Sequence, residues 1–124
     1  MVEGIEHIAI FSEDTARLKG WYVAMFGFKS VYDNGRGTYF LKAQDGTMLE
    51  FVPTDTKGAN DNVRSSGIRH IAIAVSDFDA MVDKLMSVRA PVVQEPNESK
   101  GVKTFFFRDL DGNVLHLVHR INPL

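Results

Sequence analysis

The chain has 124 residues, 44% of them hydrophobic and 24% charged, with a net charge of −2 and no cysteine; this composition suits one compact domain or two small modules sharing a core. Lysines and arginines are scattered, so the basic patch of a nucleic-acid binder is missing, and no apolar run approaches the roughly 18 residues of a membrane span. Without cysteine there is no disulfide framework and no thiolate ligand, so any metal must be held by His, Asp or Glu.

The N-terminal "MVEGIEHIAIF" has neither a positive leader nor a long apolar stretch, and a soluble cytoplasmic protein is expected. Its "GIEHIAIF" (4–11) reads as a β-branched strand. "SEDTARLKGWYVAMFG" (12–27) follows with Leu18, Trp21, Tyr22, Met25 and Phe26 at helical spacing and Gly27 as the stop. Three strands come next, the last two joined at the "DG" of "TYFLKAQDGTMLEFV" (38–52). "PTDTKGANDNVRSSG" (53–67) has no apolar period and marks a surface linker. Its reach, roughly 50 Å if extended, lets the halves pair within one chain or across a dimer.

The second half repeats the first. "GIRHIAIAV" (67–75) places His70 on His7, an offset of 70 − 7 = 63. "SDFDAMVDKLMSV" (76–88) opens with a capping-box-like Ser76 and Asp79 and carries the stripe Phe78, Met81, Val82, Leu85 and Met86. "QEPNESKGVK" (94–103) reads as an exposed polar loop. "TFFFRDLDGNVLHLV" (104–118) returns "TYFLKAQDGTMLEFV" with Glu50 aligned on His116, an offset of 116 − 50 = 66, so the second copy holds three extra residues in a loop. The fold expected is α+β: one domain, 1–124, of two βαβββ modules, 1–53 and 67–121, joined by the linker 53–67.

Strand alternation sorts the side chains. His7 and Ala9 share one face of the first strand and His70 and Ala72 one face of its copy, opposite the isoleucines that build the core against the helices. Glu50 and His116 hold matching positions on the last strand of each module. With an even hairpin loop, Leu41 shares the face of Glu50, and Phe105 and Phe107 that of His116, where they would line a pocket; an odd loop flips the assignment. His119 alternates away from His116, as a surface or dimer-edge residue.

Paired βαβββ modules, a helix ending "WYVAMFGF" and the closing "DLDGNVLHL" resemble the vicinal oxygen chelate superfamily, which includes glyoxalase I, methylmalonyl-CoA epimerase, extradiol dioxygenases, fosfomycin-resistance transferases and bleomycin-binding proteins. The resemblance implies a cupped, barrel-like mixed sheet with helices on its convex side, and a metal held by the first and last strands of each module. His7, Glu50 and His70 match the ligand pattern of bacterial glyoxalase I; His116 departs from it, since that family has a second Glu there.

The set His7, Glu50, His70 and His116 suits one divalent transition metal, Zn, Ni, Mn, Co or Fe(II). Four protein ligands on an octahedral ion leave two positions, enough for two vicinal oxygens of a small-molecule substrate but one short of what an extradiol dioxygenase needs. The expected function is therefore that of a metal-dependent glyoxalase-like lyase or isomerase working through an enediolate or enolate. Glu50 is the base as well as a ligand, because a carboxylate can swing off the metal while imidazole is a fixed donor. The alternative is a non-catalytic small-molecule binder of the antibiotic-resistance type. The resemblance also implies a homodimer.

Overall fold

The computed structural model describes residues 1–58 and 64–124, with the element order β1 (His7–Ser12), α1 (Thr15–Phe26), β2 (Lys29–Asp33), β3 (Tyr39–Lys42), β4 (Met48–Pro53), β5 (Ile71–Ala74), α2 (Phe78–Ser87), β6 (Val92–Ser99), β7 (Val102–Arg108) and β8 (Val114–Arg120). This is βαβββ twice, as the repeat implies. The chain divides into two compact units, 1–58 and 59–124. Of the expected linker 53–67, residues 59–63 lie outside the described residues. Its first residue, Pro53, still belongs to β4, and the Thr54 N–H donates to the Ser12 carbonyl.

Hydrogen bonding sorts the eight strands into two separate four-stranded sheets, β1-β4-β3-β2 and β5-β8-β7-β6. In each, the outer first strand runs parallel to the last strand of its module and the remaining pairs are antiparallel. The parallel pair follows from the helix between the first strand and the rest, since a parallel return needs a long crossover.

The helices start and stop where their chemistry dictates. Asp14 caps α1 by accepting from the Arg17 N–H at 3.0 Å, and Gly27 ends it in the left-handed region (φ 70°), its N–H donating to Val23. The cap of α2 is Asp77, which accepts from Ala80 N–H at 3.1 Å; the residue expected there was its neighbour Ser76. Helix α2 ends without glycine: Arg89 takes a positive φ of 58° while its N–H and that of Ala90 donate to Met86 and Leu85, a Schellman-type closure.

Each sheet buries one face against its helix. In the first unit Leu18, Tyr22 and Met25 of α1 are buried, as are Leu41, Leu49 and Phe51, and the Tyr22 and Phe51 rings lie 5.1 Å apart. The second unit buries Phe78 and Leu85 of α2 together with Phe105, Phe107, Leu115 and Leu117. Each such side chain contributes about 1.5–3 kcal/mol by leaving water, so these rows set the register. Met86, expected in the α2 core, is 38% exposed because it lies past the edge of the stripe. The expected polar loop 94–103 is a hairpin instead. Strand β6 runs through Ser99, and the turn at Lys100 and Gly101 has positive φ at both residues, 53° and 77°, the backbone that a two-residue hairpin turn demands.

No helix among the described residues is long and apolar enough to cross a membrane.

Candidate functional site

The face of each sheet turned away from its helix carries the polar side chains, and the turns decide which ones. Five residues, 43–47, join β3 to β4, and five, 109–113, join β7 to β8. The two loops close alike: Ala43 N–H donates to Thr47 and Gly46 N–H to Ala43, as Asp109 N–H does to Asn113 and Gly112 N–H to Asp109. Gly46 (φ 94°) and Gly112 (φ 87°) supply the left-handed residue each closure needs. Buried Asp109 locks the second loop further by accepting from the Asp111 and Asn113 backbone N–H groups and from Asn113 Nδ2.

An odd loop pairs Phe40 with Glu50 and Phe106 with His116. Leu41, Phe105 and Phe107, expected to line a pocket beside the ligands, therefore lie on the opposite face and are fully buried in the core. A one-residue change of register exchanges the faces of a strand, and the even-loop premise was the error. The polar face of the first unit then reads, strand by strand, Ala9, Glu50, Phe40 and Tyr32, and that of the second Ala72, His116, Phe106 and Gln94.

In the first unit His7 opens β1 on the face of Ala9. Its Nε2 lies 3.6 Å from Glu50 Oε1, its Nδ1 lies 3.0 Å from Glu6 Oε1, and its ring meets the edge of Phe40 at 5.2 Å. An ionised carboxylate only accepts, so the contact with Glu6 places a proton on Nδ1. Nε2 then faces a carboxylate oxygen, an approach that a proton on Nε2 or a metal cation between the two would satisfy. Glu50 is partly buried, with 22% of its side chain exposed.

In the second unit His70 immediately precedes β5, and its ring lies 5.1 Å from that of His116. Phe106 stacks on His116 at 4.1 Å and meets His70 edge-on at 5.2 Å, repeating the contact of Phe40 with His7. His70 Nδ1 and both ring nitrogens of His116 are buried with no hydrogen-bond partner. Such groups cost about 1–3 kcal/mol each if left unsatisfied. Burial, reinforced by His70, Arg69 and Arg120, pushes the His116 pKa down to about 4, and burial with Arg69 also lowers that of His70. Both imidazoles are thus held neutral near pH 7, the form that ligates metal.

The structure brings the four candidates together two by two, His7 with Glu50 and His70 with His116. Among the described residues no cluster of three or more metal-ligating side chains is present. The donor chemistry of both pairs fits a divalent metal: two neutral imidazoles with orphaned nitrogens in one, an imidazole nitrogen beside a carboxylate oxygen in the other. His119 belongs to neither pair; its Nδ1 lies 2.9 Å from the Val75 carbonyl, which ties β8 to the end of β5. The residues that sequence reasoning missed are Phe40 and Phe106, which the five-residue loops would have revealed, and Glu6 and Arg69, which align in the repeat (69 − 6 = 63) but lie beside the conspicuous histidines.

Comparison with known proteins agrees with this architecture. The chain is similar to YaeR of Escherichia coli, an uncharacterised protein, at 32% identity over 91% of this chain and 93% of that one. A glyoxalase/dioxygenase from Nostoc punctiforme has a similar fold, with a TM-score of 0.81 at 16% identity over 97% of this chain and 92% of the other. So has a mutant of FosX, a fosfomycin resistance protein of Listeria monocytogenes, complexed with Mn(II) and 1S,2S-dihydroxypropylphosphonic acid, at a TM-score of 0.75 and 17% identity over 100% and 94% of the two chains. The glyoxalase/bleomycin resistance protein/dioxygenase family model matches residues 4–117, and the chain belongs to that superfamily.

Proposed function

We propose that the protein is a divalent-metal-dependent lyase or isomerase of glyoxalase type, acting on a small substrate with vicinal oxygens. The observation that carries this reading is the set of orphaned ring nitrogens on His70 and His116, with the 3.6 Å approach of His7 Nε2 to Glu50 beside it. His7, Glu50, His70 and His116 are the residues that would hold the metal, one pair from each module. When bound, a divalent ion supplies Lewis acidity to two neighbouring substrate oxygens. The FosX relative, complexed with Mn(II) and a dihydroxy compound, is consistent with such a ligand.

The chain's own residues divide the remaining work. Glu50 takes the proton from the carbon beside the substrate carbonyl and returns it to the neighbouring carbon. Its carboxylate is partly exposed, so it can reach substrate. His116 is fixed by its stack on Phe106 and held neutral, which suits a permanent donor and not a proton carrier. Glu6 keeps the His7 ring in the tautomer that presents Nε2. Exposed Ile8 and Phe11 on β1, an outer strand of its sheet, support a homodimer in which that edge is covered.

Solvent deuterium exchange at the carbon next to the carbonyl, screened over 2-hydroxycarbonyl compounds and hemithioacetals, tests the reaction. Exchange should fall by about 10²-fold or more in Glu50→Gln with metal retained. The aromatic rows formed by Tyr32 with Phe40 and by Phe106 with His116 also suit a sequestering protein. Tight binding of a compound that is never exchanged would assign the protein to that second reading.

A further inference from the structure

The residue before the first histidine of each module differs in sign. Glu6 in module 1 accepts from His7. Its counterpart Arg69 lies with Cζ 4.8 Å from the centroid of the Phe106 ring, the ring stacked on His116. Among the described residues no carboxylate pairs with Arg69, which is exposed. A guanidinium held over an aromatic ring keeps its N–H donors available for a bidentate oxygen partner. The asymmetry extends across the polar faces. Glu6 and Glu50 put two carboxylates beside His7, whereas the row Ala72, His116, Phe106 and Gln94 has none. An anion is repelled by the first and attracted by the second.

We propose that Arg69 binds an anionic group of the substrate, a carboxylate, phosphonate or phosphate, beside the His70 and His116 pair of module 2. This rests on the proposed vicinal-oxygen function and adds the substrate's charge and a specificity-determining residue. Arg69 is exposed and lies outside the buried core, so its replacement leaves folding intact. Lysine keeps the charge but loses the planar fork, and glutamine loses both.

Calorimetric titration of Mn(II)-loaded protein with three hydroxamates that share one pair of vicinal oxygens tests it: acetohydroxamate, which has no charged arm, malonomonohydroxamate with a carboxylate arm, and phosphonoacetohydroxamate with a phosphonate arm. At least one anionic compound should bind about 10-fold or more tightly than acetohydroxamate, and the stronger of the two identifies the anion. Arg69→Gln should abolish that preference without changing acetohydroxamate affinity, and Arg69→Lys should keep part of it. The proposal is overturned if the charged arm adds nothing in the parent protein, or if Arg69→Gln weakens all three compounds equally. If no hydroxamate binds the metal-loaded protein, the vicinal-oxygen reading fails as well, an outcome distinct from acetohydroxamate binding with no preference for charge.

Discussion

Replacing His116 by phenylalanine should stabilise the metal-free protein while destroying its response to metal. Both ring nitrogens of His116 are buried without partners, and each such group costs about 1–3 kcal/mol. A phenyl ring keeps the parallel stack on Phe106, whose centroid is 4.1 Å away, and needs no partner. The cost avoided, taken at the low end for both nitrogens and less about 1 kcal/mol for slight overpacking, leaves a net gain of about 1 kcal/mol and a rise in melting temperature of about 3–4 °C for a chain of this size. With a divalent metal at about 100 times its dissociation constant the order reverses, since the parent gains about 2.7 kcal/mol by linkage and the variant gains little. Thermal unfolding of both proteins, with chelator and with metal, measures the crossing. If His116→Phe lowers the stability of the metal-free protein by 1 kcal/mol or more on that same ~1–3 kcal/mol scale, the nitrogens are satisfied and His116 is structural.

Three further outcomes follow from the same geometry. The folded metal-free protein holds the His116 pKa at about 4 against an ordinary 6.5, so between those values the unfolded chain binds a proton that the folded one refuses. Stability is complete above pH 6.5 and falls toward pH 4, by about 1–3 kcal/mol after allowance for partial exposure, with His70 adding to the same slope; denaturant titrations across this range should lose most of it in His116→Phe. Arg89→Gly should stabilise the protein by about 0.5–1 kcal/mol, because φ 58° suits glycine at that helix end, and an unchanged or lower denaturation midpoint would contradict the closure described for α2. Asp109→Ala should cost about 2 kcal/mol or more by orphaning the backbone N–H groups of Asp111 and Asn113, measurable as a loss of stability that metal does not restore.

Much of the fold could be read from the internal repeat. Two copies of one strand, helix and three-strand pattern locate the modules, and Gly27 and the apolar stripes locate the helices, because caps and periodicity are local chemistry. Register is not local. Alternation gives the period of a strand but not its phase, and the phase here is set by two five-residue loops whose parity depends on where the flanking strands end. That is why alternation alone misplaces Leu41, Phe105 and Phe107, which lie in the core, while His7 and His70, which precede any hairpin, keep the faces of Ala9 and Ala72. Glu50 and His116 stand out in the sequence as polar residues flanked by Leu and Phe or by two Leu in a strand. Arg69 did not stand out, because an arginine beside a strand looks like any solvated charge until its contact with Phe106 is seen.

In the proposed function, the pairs His7 with Glu50 and His70 with His116 serve one metal. Metal content of protein purified without added metal, determined together with protein concentration for the parent, His7→Ala and His116→Ala, tests it most directly. About one transition metal per chain is expected in the parent, the ratio of a single four-donor site, with its loss from both variants, because each leaves the site short of a donor. Two metals per chain with only one lost from each variant would contradict it, and so would a metal content that ignores both substitutions.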